Sequence, residues 1–286
     1  MPQDPERQGW NSEALFPLYG NVKKVVVCRG EKITDVWFFN ENGDVERRIG
    51  NPDSRYELCT EYRYDSLRNL VEECWFDASG ELFSKQAYNY NPNRMLTSTL
   101  FYTTPEVAEI ELVNLYDDSG RLVEQVSYSA YGSDSACVVR RHVYTYGTKE
   151  GYSTKTCAIY DDCGTLEEKE SYTYDSVGNV IEYTEFDCDD LPVWTYAYTY
   201  DSSGNIVEER EYDADKALCT QTTHVYTYDE NGRKIEKKTL LADGQPSVKT
   251  TFRYDAVGNQ IEESILYYAD SSATSTTYRI EYLLDD

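Results

Sequence analysis

The sequence predicts an all-β protein, a long antiparallel β-meander of about 20 short strands coiled into one repeat sheet. Three observations carry that prediction. A turn motif recurs along the chain, the segments between its copies alternate with period two, and no segment sustains a 3.6-residue apolar stripe.

The motif is an aromatic residue, then Asp or Asn, two variable residues, and usually Gly. It reads FNENG from Phe39, FDASG from Phe76, YDDSG from Tyr116 and YDDCG from Tyr160. It continues as YDSVG from Tyr174, YDSSG from Tyr200, YDENG from Tyr228 and YDAVG from Tyr254. YDSLR from Tyr64 and YNPNR from Tyr90 are degenerate copies with Arg in the Gly position. The long step from Asp117 to Asp161 contains YGTKEG from Tyr146, an eroded turn. In each copy the Asp side chain can accept the N–H two residues on, as in a type I turn. Gly three residues later supplies the positive φ of a hairpin with a bulge. Asp175 and Gly178, Asp201 and Gly204, Asp229 and Gly232, and Asp255 and Gly258 are therefore structural turn residues.

Between turns lie segments rich in Tyr, Thr, Val and Ile, the composition of strands. In VWTYAYTY, Trp194, Tyr196, Tyr198 and Tyr200 share one face, and Val193, Thr195, Ala197 and Thr199 the other. Twenty strands at ~4.8 Å each would span about 95 Å if flat, so the sheet must twist, coil or split. Each hairpin then contacts mainly its sequence neighbours, and the terminal strands serve as caps. Residues 1–21 form an N-terminal extension, with Trp10, Phe16 and Leu18 expected to fold over the first edge. Residues 22–284 form the array as a single body. Its last strand, around 275–284, is followed by Asp285 and Asp286, which discourage edge-to-edge growth.

With its YDxxGN copies aligned, the chain resembles RHS or YD-repeat proteins of bacterial type. The match is densest from Tyr172 to Tyr268 and extends back to about Val36. LYGNVKKVVVCRG from Leu18 is similar to the lead-in of small stand-alone repeat proteins of gut Bacteroidetes. Long members of that family coil their strands into a hollow shell around a toxic C-terminal domain. This chain is short for such a shell and shows neither a DPxG-type self-cleavage stretch nor a toxin domain. The resemblance therefore implies coiled antiparallel strands and a non-catalytic role, with sugar binding as a suggestion attached to YD repeats.

Composition narrows the partners. Lys and Arg number 27 against 52 Asp and Glu, a net charge of −25. Nucleic acid and anionic membrane are repelled, and a basic protein is favoured. No stretch approaches the ~18 uninterrupted apolar residues of a spanning helix. The 28 Tyr, against 8 Phe and 2 Met, point to a thin, half-wet core. The cysteines, at 28, 59, 74, 137, 157, 163, 188 and 219, form no CxxC pair and predict free thiols in a reducing compartment. The chain as given is expected in the cytoplasm, or exported if Met1 replaces a removed signal segment. In an oxidising compartment Cys137 and Cys163 could be paired by a hairpin turning near Lys149.

Catalytic constellations are weak. His142 and His224 both open the strand HVYTY, which marks them as repeat positions rather than an acid–base centre. Paired carboxylates such as Glu208–Glu209 and Glu262–Glu263 alternate faces along a strand. DSVGN offers one carboxylate with Ser and Asn, a capped turn rather than a calcium loop. No G-x-S-x-G elbow or phosphate loop is present. The expectation is no enzyme, no cofactor and no metal. The favoured role is a scaffold for a basic protein, adaptor or antitoxin/immunity-like, and the alternative is a cell-surface or secreted carbohydrate-binding protein. In either case Trp194, Tyr196, Tyr198 and Tyr200 are the candidate binding residues.

Overall fold

The computed structural model describes residues 18–52, 58–104, 107–129 and 137–282. The described residues contain no helix and twenty strands in one sheet. In chain order these begin with β1 (Val22–Arg29), β2 (Lys32–Phe39), β3 (Val45–Gly50), β4 (Leu58–Tyr64) and β5 (Leu70–Phe76). Next come β6 (Leu82–Tyr90), β7 (Leu96–Tyr102), β8 (Ala108–Tyr116), β9 (Leu122–Ser129) and β10 (Cys137–Lys149). Then follow β11 (Tyr152–Tyr160), β12 (Leu166–Tyr174), β13 (Val180–Phe186), β14 (Pro192–Tyr200) and β15 (Ile206–Tyr212). The last five are β16 (Leu218–Tyr228), β17 (Lys234–Leu240), β18 (Pro246–Tyr254), β19 (Gln260–Tyr267) and β20 (Ala273–Tyr282). The expected all-β meander is present, antiparallel from strand to strand.

The turns explain the regularity. At Asp201 the backbone N–H donates to Asn205 O at 2.9 Å, and Gly204 N–H donates back to Asp201 O at 3.1 Å. Asp201 Oδ1 accepts the N–H of Ser203 and of Asn205, both at 2.9 Å. One side chain thus replaces the hydrogen bonds that the turn backbone would otherwise leave to water. Gly178, Gly204, Gly232 and Gly258 lie at φ 86, 78, 76 and 110. The same pair of backbone bonds also closes turns at Asp187, Asp213 and Leu241, which the aromatic–Asp–Gly pattern does not mark. There Asp190 and Lys216 take the left-handed position at φ 63 and 61, and Leu241 replaces the Asp.

Two compact units divide the chain. One takes residues up to Ala87 together with Tyr228–Glu236 and residues from Thr250 on; the other takes Tyr88–Thr227 and Lys237–Lys249. In the first unit β1 is the core strand. Val22, Val25, Val27 and Trp37 cluster on one face with Leu18, Ile280 and Tyr282. Val26, Cys28 and Val36 cluster on the other. A run of four consecutive buried residues, Val25–Cys28, is what a strand covered on both faces requires.

The expectation of open terminal edges is corrected here. β1 pairs with β2 on one side and with β20 on the other, from Val22↔Tyr282 to Arg29↔Thr276. Neither β1 nor β20 is therefore an exposed edge, because β20 also pairs with β19. The fully buried Asn259 fastens this seam. Its Oδ1 accepts Tyr19 N–H at 2.6 Å, and its Nδ2 donates to Tyr19 O at 2.8 Å and Tyr282 Oη at 2.7 Å. Tyr282 Oη in turn donates to Asp255 Oδ2 at 2.5 Å. Of the residues expected to cover the first edge, Leu18 packs against the β1 core, while Trp10 and Phe16 lie outside the described residues.

Candidate binding face

Within the second unit, strand register brings together side chains that the sequence leaves apart. Glu170 of β12 faces Glu185 of β13, and Glu185 faces Trp194 of β14. One step along, Tyr172, Tyr183, Tyr196 and Glu211 form a continuous row across β12 to β15. One step further, Tyr198 stands opposite Glu209. Because strand side chains alternate, all of these belong to one face, here termed the tyrosine face. On β12–β15 that face carries no Lys or Arg. Lys169 and Arg210 point to the opposite face, where they pair with Asp190 at 2.6 Å and Glu208 at 2.7 Å.

The face is tightly hydrogen-bonded at its β12 side. Tyr172 Oη donates to Glu170 Oε2 at 2.8 Å, and Tyr183 Oη donates to Glu170 Oε1 at 3.1 Å. The rings of Tyr172 and Tyr183 are 5.0 Å apart, and those of Tyr183 and Tyr196 are 5.7 Å apart. Burial, then the charges of Glu170 and Glu185, push the Tyr183 phenol well above its ordinary value. Burial, then Glu209, does the same at Tyr198, and burial with Glu185 and Glu211 raises Tyr196. These phenols therefore remain neutral donors at physiological pH.

A lysine and a histidine flank the row. Lys155 of β11, only 2% exposed, lies over the Tyr144 ring with Nζ 5.1 Å from its centroid, and faces Tyr172 across the ladder. His224 of β16, 6% exposed, places Nε2 3.0 Å from Glu209 Oε1 and Nδ1 3.2 Å from Thr239 Oγ1. The hydrogen bond from His224 holds the Glu209 carboxyl below its ordinary value.

The four predicted aromatic residues are all half-buried. Trp194, Tyr196 and Tyr198 each stand beside a carboxylate. Tyr200 instead braces the strand, donating its hydroxyl to Val180 O at 2.6 Å. Sequence reading missed Glu185 and Glu211 and read Glu209 only as half of a carboxylate pair with Glu208, since register decides which carboxylate meets which ring. His142 and His224 share the HVYTY segment but not its setting: the hydroxyl brace falls on Tyr146 in one and on Tyr226 in the other, so His224 takes the buried position that Tyr144 holds in the first. His142 Nδ1 lies 4.0 Å from Cys157 Sγ, and burial lowers its pKa. Cys137 and Cys163 are exposed and not joined by a disulfide, although the hairpin does turn at Lys149↔Tyr152.

Two other places gather polar groups but are already satisfied internally. In the turn at Asp161, ligand atoms of Asp161, Asp162 and Cys163 lie within 4.8 Å of one another. Asp161 Oδ1, however, already accepts the N–H of Cys163 and Thr165, so the group functions as a capped turn. In the first unit a cleft of about 610 Å³ is lined by Tyr19, Arg233, Tyr254, Val257, Gly258 and Gln260. The Arg233 guanidinium is engaged by Asp229 at 2.7 Å and stacks 5.0 Å over Tyr254.

No family model and no curated protein matches the sequence. Among solved structures the chain is similar to a porin-like protein from Bacteroides uniformis, at 13% identity and TM-score 0.37, covering 92% of this chain and 98% of that one. A porin-like protein from Bacteroides vulgatus aligns at 11% identity and TM-score 0.33, over 92% and 98% of the two chains. A chain of the Photorhabdus luminescens Tc holotoxin pore aligns at 14% identity and TM-score 0.27, covering 82% of this chain. This chain spans 15% of the length of that toxin chain.

Proposed function

We propose that this protein is a non-catalytic scaffold of the RHS/YD-repeat type that binds a basic protein through the tyrosine face of β12–β16. One observation carries the reading. Trp194, Tyr196 and Tyr198 each stand beside Glu185, Glu211 or Glu209, on a face to which β12–β15 contribute no Lys or Arg. Carboxylates attract a cation by charge and aromatic faces by their quadrupole, so the two together suit Lys and Arg side chains. The net charge of −25 adds long-range attraction for a basic partner, as in an adaptor or immunity-like protein. The non-catalytic reading is supported by His224, whose two ring nitrogens are both engaged by side chains of the sheet itself.

The test is calorimetric titration of the purified protein with a lysine-rich protein probe. It is run at ~0.1 M and ~1 M salt, where charges are screened over about 10 Å and 3 Å. Binding at low salt that weakens at least about tenfold at high salt, and that neutral oligosaccharides do not displace, is the expected result. No binding at low salt, or salt-independent binding displaced by an oligosaccharide, overturns the reading in favour of a glycan or no ligand.

A further inference from the structure

We infer that the tyrosine face reads an extended cationic segment carrying Lys or Arg at every second position; this rests on the proposed function and specifies the partner's chemistry. The flanks of the face place a lysine against an aromatic ring on one side and a histidine against a carboxylate on the other. At the β11 side Lys155 lies over Tyr144 and faces Tyr172. At the β16 side His224 hydrogen-bonds Glu209, the carboxylate opposite Tyr198. Between these flanks two aromatic–carboxylate slots occur, Trp194 with Glu185 and Tyr196 with Glu211. No Lys or Arg of β12–β15 faces them; the bases of these strands, Lys169 and Arg210, lie on the opposite face with their own acids. Glu170 adds a second carboxylate opposite Glu185, and the remaining neighbours named here are neutral. Tyr183 flanks Tyr196, and Thr220 Oγ1 donates to Glu211 Oε2 at 2.8 Å.

Spacing selects the form of the partner. Trp194 and Tyr196 are two residues apart on one strand, so the slots repeat at about 6.6–6.8 Å. An extended segment laid along β14 presents its alternate side chains at that same interval and on one side. Adjacent residues of such a segment point to opposite sides and serve one slot at most. Beside the slots, Thr220 opposite Glu211 and Leu218 opposite Tyr212 are both exposed on β16.

The experiment uses the full chain and three peptides of equal length and composition, each with two Lys in a Thr/Ser/Val background. The Lys residues are placed at i and i+2, at i and i+1, or at i and i+4. Calorimetry should rank the i,i+2 peptide about two- to fivefold tighter than the others, the effect of one added exposed cation–π slot. That preference should vanish in Glu185→Gln and Glu211→Gln, and persist in Glu182→Gln and Glu208→Gln on the opposite face. Thermal melting checks that each variant is folded. Equal affinity for all three peptides, with loss in Glu185→Gln and Glu211→Gln, overturns the spacing inference but leaves the binding face standing. Binding weakened only by the opposite-face variants overturns both, as does no binding by any peptide.

Discussion

The tyrosine hydroxyl is the residue-scale device of this fold. Tyr64, Tyr116, Tyr200, Tyr226 and Tyr254 each donate to a carbonyl at or near the start of the preceding strand, at 2.6–2.8 Å. A Phe would fill the same space and leave that carbonyl bare, so Tyr200→Phe should cost about 0.5–1.5 kcal/mol in denaturant unfolding. Burial, then Asp44, raises the Tyr64 phenol to about 12. A phenol whose folded pKa lies above its unfolded value adds stability that is complete below about 10 and lost as pH rises through the folded value. Absorbance titration should accordingly show a late set of tyrosines ionising near or above pH 12, merging with the early set in denaturant. The abundance of Tyr was legible as a half-wet core, but the carbonyl each hydroxyl seeks depends on register. Cysteines offer a second check: native alkylation should modify Cys137, Cys163, Cys188 and Cys219 quickly, and buried Cys28, Cys74 and Cys157 only on unfolding. Burial, then Glu170, lifts the Cys157 thiol to about 11, which slows it further.

At the scale of the element, the hairpin turn was the most legible feature, since Asp and Gly at fixed offsets state their own geometry. The turns at Asp187, Asp213 and Leu241 escaped because Asp190 and Lys216 stand where Gly was expected and Leu241 where Asp was. The gaps of 26 to 28 residues between recognised copies contained the missing signal, being one 12-residue and one longer step. Paired substitutions test the assignment. A Cβ added at Gly204 would meet nothing within 4 Å, so Gly204→Val should cost about 1–2 kcal/mol through its φ of 78 alone. Lys216→Gly relieves a side chain at φ 61 and should leave stability unchanged or raise it by up to about 1 kcal/mol. Strand β1 carried a different signal that went unread. Its unbroken VVVC departs from the alternation elsewhere and marks a strand buried on both faces, paired with β2 and β20 rather than capping an edge.

For the whole molecule, charge connects stability to binding. Backbone N–H donors, that of Arg121 foremost at Asp117 and that of Arg233 at Asp229, hold turn carboxyls below their ordinary 3.8. At Asp175 burial works upward, but the Asn179 backbone and side-chain donors outweigh it. Folded values below the unfolded one mean that this stabilisation is complete above about pH 4 and lost as pH falls through the folded values. Melting temperature should therefore drop on acidification below pH 4, and the acidic surface loses its attraction for cations over the same range. The net acidity was legible in the composition; which carboxylates meet β14 was not, because Glu185, Glu209 and Glu211 join it only through pairing. The most direct test of that face is carbodiimide footprinting of carboxylates, read by mass spectrometry, with and without a saturating lysine-rich probe. Protection at Glu185 and Glu211, with Glu182 and Glu208 labelled as in the free protein, is the predicted result. Protection confined to Glu182 and Glu208, or spread evenly over the acids of both faces, contradicts it.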